Sequence, residues 1–181
     1  MELWFLTKIY NVKNVNSIVL LKTKRYIQNK KNMKLTKNII KSYYLDNNSN
    51  YFNNELPTKN VTFAIDHSIH NVAGFVRQSK NKYKIFVSDM FLWDKEKLSD
   101  IITHEMIHLK LSKIGKNDFS NHGNNFKAEC ARIYQERKRV IPLDGSHILK
   151  TRKCKELLLR EKSKKHNILL KMLNWLINKI C

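Results

Sequence analysis

His104-Glu105-Met106-Ile107-His108 lies inside a helical pattern, and the fold turns on how it is read. Leu98, Ile101, Ile102, Met106 and Leu109 recur at helical spacing, which predicts a helix from Lys95 to about Lys113. Asp94 stands where an N-cap belongs, and Gly115 where a helix stops. On such a helix, histidines four residues apart lie about 40° apart around the axis and one turn along it, so both imidazoles address one point. That pair supplies half of a tetrahedral zinc site. Glu105 falls beside them, placed to take a proton from a water that the metal activates and to pass it to a leaving amine. A shuffled chain of this composition would contain the pattern in roughly 1% of cases.

A catalytic centre needs a third protein ligand and an open fourth position. The extended pattern that adds a glycine and a third histidine three and six residues later is absent, because those positions hold Leu111 and Ile114. Two candidates lie further on, Glu129 at 21 residues past His108 and His122 at 14. His122 opens the next predicted helix, about Asn121 to Val140, and shares a face with Phe126. Gly123 beside it allows close backbone approach. These features favour His122, with Glu129 as the alternative.

Upstream, Leu35, Ile39, Ile40, Tyr43 and Tyr44 predict a first helix from about Met33. Asp46-Asn47-Asn48-Ser49-Asn50 is expected to end it, since these side chains compete for backbone hydrogen bonds. Tyr51 to Pro57 then reads as a loop with aromatic anchors. Val61–Ile65, Val72–Val76 and Tyr83–Val87 read as three short strands with hairpin-length separators. The expectation is an α+β domain with a small antiparallel sheet packed on helices. His67 and His70 are expected at the surface, with a role in substrate or oxyanion binding as the alternative, and the Lys80–Lys84 stretch reads equally as a solvated hairpin tip or as the lining of a substrate or DNA groove.

Together these residues resemble the SprT-like (Spartan-type) zinc metallopeptidase family. The resemblance rests on Tyr51-Phe52-Asn53-Asn54-Glu55-Leu56-Pro57, Gly74, the His104–His108 motif and His122-Gly123-Asn124-Asn125-Phe126, and covers about residues 35–140. It implies a zincin-like, minigluzincin-type fold, one Zn²⁺ per chain on His104, His108 and His122, and Glu105 as general base. It also implies protein substrates associated with or crosslinked to DNA, and hence a role in DNA repair. Many relatives carry a C-terminal cysteine-rich zinc ribbon. This sequence has none, and its basic tail is the expected substitute.

Charge supports a polyanionic partner. The 181 residues carry a net +20, distributed as +8 over 1–60, +2 over 61–125 and +10 over 126–181. Basic flanks on a near-neutral middle are the footprint of nucleic-acid contact, and Arg137, Lys138, Arg139, Arg152, Lys153 and Lys155 are the candidate contacts. The alternative is compositional drift in a chain with 21 Asn. Small size and Lys/Asn bias would suit a viral source. The competing functional reading is a DNA-binding or scaffold protein with a structural or vestigial zinc site, but a structural site has no use for Glu105.

Cys130, Cys154 and Cys181 are odd in number and widely spaced, which fits free thiols in a reducing, intracellular setting. No apolar run approaches transmembrane length. The chain divides into an N-terminal extension (1–32) expected to pack poorly, a metallopeptidase domain (33–142) and a basic helical tail (143–181). Ile168 to Ile180 has a broad apolar face and is expected to pack on the catalytic core.

Overall fold

The computed structural model describes residues 33–118 and 120–180; the expectation for residues 1–32 lies outside them. The elements run α1 (Lys37–Phe52), β1 (Val61–Asp66), β2 (Gly74–Ser79), β3 (Lys82–Ser88), α2 (Lys95–Lys113), α3 (Asn124–Arg137) and α4 (Arg152–Ile180).

α2 is the axis of the domain. Leu98, Ile102, Met106, Ile107 and Leu109 are fully buried in it, against α1 on one side and the sheet on another. Each such aliphatic side chain contributes about 1.5–3 kcal/mol relative to exposure. Its start is as expected, with the Asp94 carboxylate accepting the backbone N–H of Lys97 at 2.9 Å. Its end falls at Ile114, and Gly115 follows in the left-handed region at φ +68°.

The sheet corrects the expectation of an antiparallel meander. Its order is β1-β3-β2, with β3 parallel to β1 and antiparallel to β2. Lys80-Asn81 forms the tight turn that joins β2 to β3 as a true hairpin. Residues 67–73 do something else. Seven residues are enough to cross the two strand spacings, about 9.6 Å, that leave room for β3 between β1 and β2. The central place goes to the strand with the most to bury, since Tyr83, Ile85 and Val87 of β3 all point into the core. β2 is therefore an edge strand, and it lies beside α2.

α1 continues through the Asp/Asn run that was expected to end it. Asn47 donates to the Ser99 carbonyl at 3.1 Å and to Thr103 Oγ1 at 2.9 Å. Asn48 donates to the Leu56 carbonyl and accepts the Leu56 N–H. With partners elsewhere in the fold, these amides do not compete with the helix, which ends at Asn53 in the left-handed region.

The tail also differs from expectation. Residues 148–151 lie beside 90–92, where the Leu92 N–H donates to the Leu149 carbonyl at 2.7 Å and the Thr151 N–H to the Met90 carbonyl at 2.8 Å. α4 then buries Cys154 and rests Leu157 and Leu158 on the core. Beyond that, the side chains described up to Leu176 are exposed, with Leu159 at 66%, Ile168 at 58% and Leu169 at 56% of full accessibility. The cause is in the sequence: Arg160 to Asn167 is polar throughout, so no apolar stripe continues from the anchored turns.

Candidate active site

α2 turns His104 and His108 toward one point, and the start of α3 brings His122 to it. His104 Nε2 lies 3.2 Å from His108 Nε2 and 3.0 Å from His122 Nε2. Phe126 floors the cluster, its ring centroid 4.6–4.8 Å from all three imidazoles. It is fully buried, so the rings rest on a fixed apolar base.

One tautomer is set by the fold. The Pro142 carbonyl lies 2.9 Å from His104 Nδ1 and can only accept, so Nδ1 carries the proton and Nε2 presents its lone pair to the cluster. Burial, with the neighbouring imidazoles adding, lowers the pKa of His104 and His108 to about 4, so both are neutral at neutral pH, as a metal ligand must be.

His122 is held by a latch. Asp118 Oδ2 accepts the N–H of Phe126 at 2.9 Å, and Oδ1 accepts the N–H of Asn125 at 3.1 Å, which satisfies two of the orphan donors at the start of α3. This carboxylate does the capping that Gly123, at the N-cap, cannot do.

Glu105 is buried at 4% exposure, on the side of α2 that faces β2. Burial raises its pKa to about 8, opposed by the N–H that Val76 donates to it. A carboxylate desolvated to this degree is matched to a cation beside it, which would return it toward its ordinary range. Gly74 leaves the space it needs: a Cβ there would stand 3.0 Å from the Phe86 carbonyl oxygen and 3.5 Å from Glu105 Oε1.

The donor set fits zinc. Nitrogens on a tetrahedral Zn²⁺ at 2.0–2.1 Å are about 3.3 Å apart, close to the two spacings seen here. His104, Glu105, His108 and His122 all line one cleft of about 930 Å³, which leaves an approach from solvent.

The other candidates fall elsewhere. Glu129 accepts from Lys110 Nζ at 3.0 Å and Arg132 Nε at 3.0 Å, and it is not among the residues that converge with the histidines or line their cleft. Arg137, Lys138, Arg152, Lys153 and Lys155 are exposed. Arg152 pairs with Glu156 at 2.9 Å, and Lys155 reaches the rim of the cleft. Arg139 is half-buried, and its guanidinium is engaged by Asp100. Sequence reading passed over Asp118, the Val76 N–H and the Pro142 carbonyl. Backbone groups leave no residue-type signal, whereas Asp118 could have been suspected from an acidic residue close ahead of a helix with a glycine N-cap.

Comparison with known proteins agrees with this geometry. The SprT-like family model matches residues 40–147. A search of the curated proteins finds no match. With three histidines converging at a helical His-Glu-x-x-His motif and the family match spanning more than half of its length, the chain belongs to the SprT-like metallopeptidase family.

Proposed function

We propose that this protein is a zinc-dependent endopeptidase that cleaves proteins associated with DNA. The observation that carries the catalytic half is the convergence of His104, His108 and His122 with Glu105 at one cleft. In this reading the three imidazoles hold one zinc ion through their inward nitrogens. Bound zinc supplies Lewis acidity, polarising a scissile carbonyl and lowering the pKa of water. Glu105 takes the proton from the attacking water and delivers it to the nitrogen of the leaving amine. Burial raises the proton affinity of Glu105 and a cation beside it would lower it again, so with zinc bound the carboxylate would be ionised and free to accept the first proton. Phe126 packs against all three imidazoles and supports their orientation, while the Glu105 carboxylate lies against Gly74 and the Val76 N–H of β2.

Charge supports the DNA half. Residues 126–181 carry +10, and Arg137, Lys138, Arg152, Lys153 and Lys155 lie exposed on α3, its end and α4. Among the described residues, no helix is long and apolar enough to cross a membrane. The test is digestion of casein and histone with and without DNA, alongside Glu105→Gln. Zinc-dependent cleavage that DNA stimulates and Glu105→Gln abolishes is the expected result. Equal cleavage by Glu105→Gln would sink the assignment of the base, and indifference to DNA would sink the substrate class.

A further inference from the structure

The carbonyl that fixes His104 belongs to Pro142, on a strap without regular structure that follows α3. The strap leaves α3 through Lys138, which adopts the left-handed conformation at φ 55° and turns the chain along α2. Arg139 then meets Asp100. Its Nε donates to Asp100 Oδ1 at 3.0 Å, its second amino group donates to the same oxygen, and its third nitrogen lies 3.6 Å from Glu96 Oε1. Ile141 is buried between the two polar contacts. Asp100 and His104 are one turn apart on α2, so guanidinium and carbonyl dock on successive turns of the same helix.

We infer that Arg139 is a positioning residue for the metal ligand His104. The Asp100–Arg139 pair fastens the strap, the strap places the Pro142 carbonyl, and the carbonyl keeps His104 as the Nδ1–H tautomer with its Nε2 lone pair on the metal position. The inference rests on His104 being a zinc ligand, as proposed above. A neutral imidazole can carry its proton on either nitrogen, and only one arrangement leaves Nε2 free. Without the strap, His104 populates both, and apparent metal affinity falls by the fraction lost. The pair suits the task. Asp100 is 8% exposed, so its carboxylate has little water to fall back on, and the guanidinium offers two donors in a fixed fork. Arg139 thereby acts inside the site, rather than on nucleic acid with its neighbours Arg137 and Lys138.

Zinc affinity, measured by competition with a chromophoric chelator, and the visible spectrum of the Co²⁺-loaded protein test this. Arg139→Met should weaken zinc about ten-fold, within the 10–100-fold range of outer-shell partners, and should alter the Co²⁺ bands. Arg139→Lys and Asp100→Asn should lose less, in the same direction. DNA affinity of Arg139→Met should equal that of wild type. A folded Arg139→Met with wild-type zinc affinity and Co²⁺ spectrum overturns the inference, even if its melting temperature drops, because the pair is then only structural. Lost DNA affinity with zinc binding intact also overturns it. If Arg139→Met does not fold, Arg139→Lys and Asp100→Asn decide by the same two readouts, and unchanged values in both overturn it. Failure of the underlying reading looks different: wild type would then bind no zinc, or His104→Ala would bind it equally well.

Discussion

Gly123 has no room for a side chain because of Asp118: a Cβ on Gly123 would stand 2.6 Å from both Cβ and Cγ of that residue. The same carboxylate holds the N–H groups of Asn125 and Phe126. Glycine and aspartate form one device that presents His122 on the residue just before the N-cap. Asp118→Ala should lower the melting temperature and weaken zinc about ten-fold, in the outer-shell range. Gly123→Ala should do the same, since Asp118 must retreat to admit the methyl group. Chelator competition on both variants checks this, and wild-type affinity in both would show that His122 is placed by α3 alone.

The third ligand is tested against its alternative. His104→Ala and His122→Ala should each lose most of the zinc, whereas Glu129→Ala should keep it, because Glu129 serves Lys110 and Arg132. Metal analysis after gel filtration decides between them. Full zinc in His122→Ala, with loss in Glu129→Ala, would reverse the assignment.

The His-Glu-x-x-His helix, its N-cap and its stop were all legible, because each depends on residues adjacent in sequence. His122 was legible as the favoured ligand, through its shared face with Phe126 and the glycine beside it. What escaped depended on distant partners. Asn47 and Asn48 read as helix breakers until Ser99, Thr103 and Leu56 supply their hydrogen bonds. The parallel pairing of β1 with β3 follows from which strand has most to bury in three dimensions, and that competition has no local signature. Arg139 read as one of a basic run, and its burial against Asp100 appears only once the strap is folded back along α2.

Stability of the metal-free protein should carry opposite pH signatures from the histidines and from Glu105. The folded pKa of His104 and His108 is about 4, below the ordinary 6.5, so their contribution is present above pH 6.5 and is lost as pH falls toward 4. The folded pKa of Glu105 is about 8, above the ordinary 4.5, so its contribution is present below pH 4.5 and is lost as pH rises toward 8. Glu105→Gln removes only the second effect. The difference in stability, Glu105→Gln minus wild type, should therefore rise steadily from pH 4.5 to 8 in the presence of EDTA. A difference that stays flat across that window in urea titrations would show that Glu105 is not desolvated as described. With zinc restored the rise should shrink, since a cation beside the carboxylate lowers its pKa.

The tail offers a cut that separates DNA contact from folding. Removing everything after residue 145 would strip buried Ile148 and Cys154 and the backbone bonds of residues 149–151 to 90–92, and so would unfold part of the core. Ending the chain after Lys162 spares all of these. It also keeps Glu161, whose carboxylate lies 3.0 Å from His70 Nε2 and ties α4 to the β1–β2 connection. The shortened protein should keep its zinc and its melting temperature. Within what remains, Arg152, Lys153 and Lys155 sit on the exposed side of the first turns of α4, so charge reversal there leaves Cys154, Leu157 and Leu158 in place. If the full-length tail and these residues together contact about five phosphates, affinity for duplex DNA should fall about 500-fold between 50 and 200 mM salt, through counterion release. Both the cut and the reversal should flatten that slope and remove stimulation of proteolysis by DNA, with zinc content unchanged. An unchanged salt slope in the triple reversal, measured by fluorescence anisotropy, would take Arg152, Lys153 and Lys155 out of the DNA interface and leave the basic composition of the tail without a DNA role there.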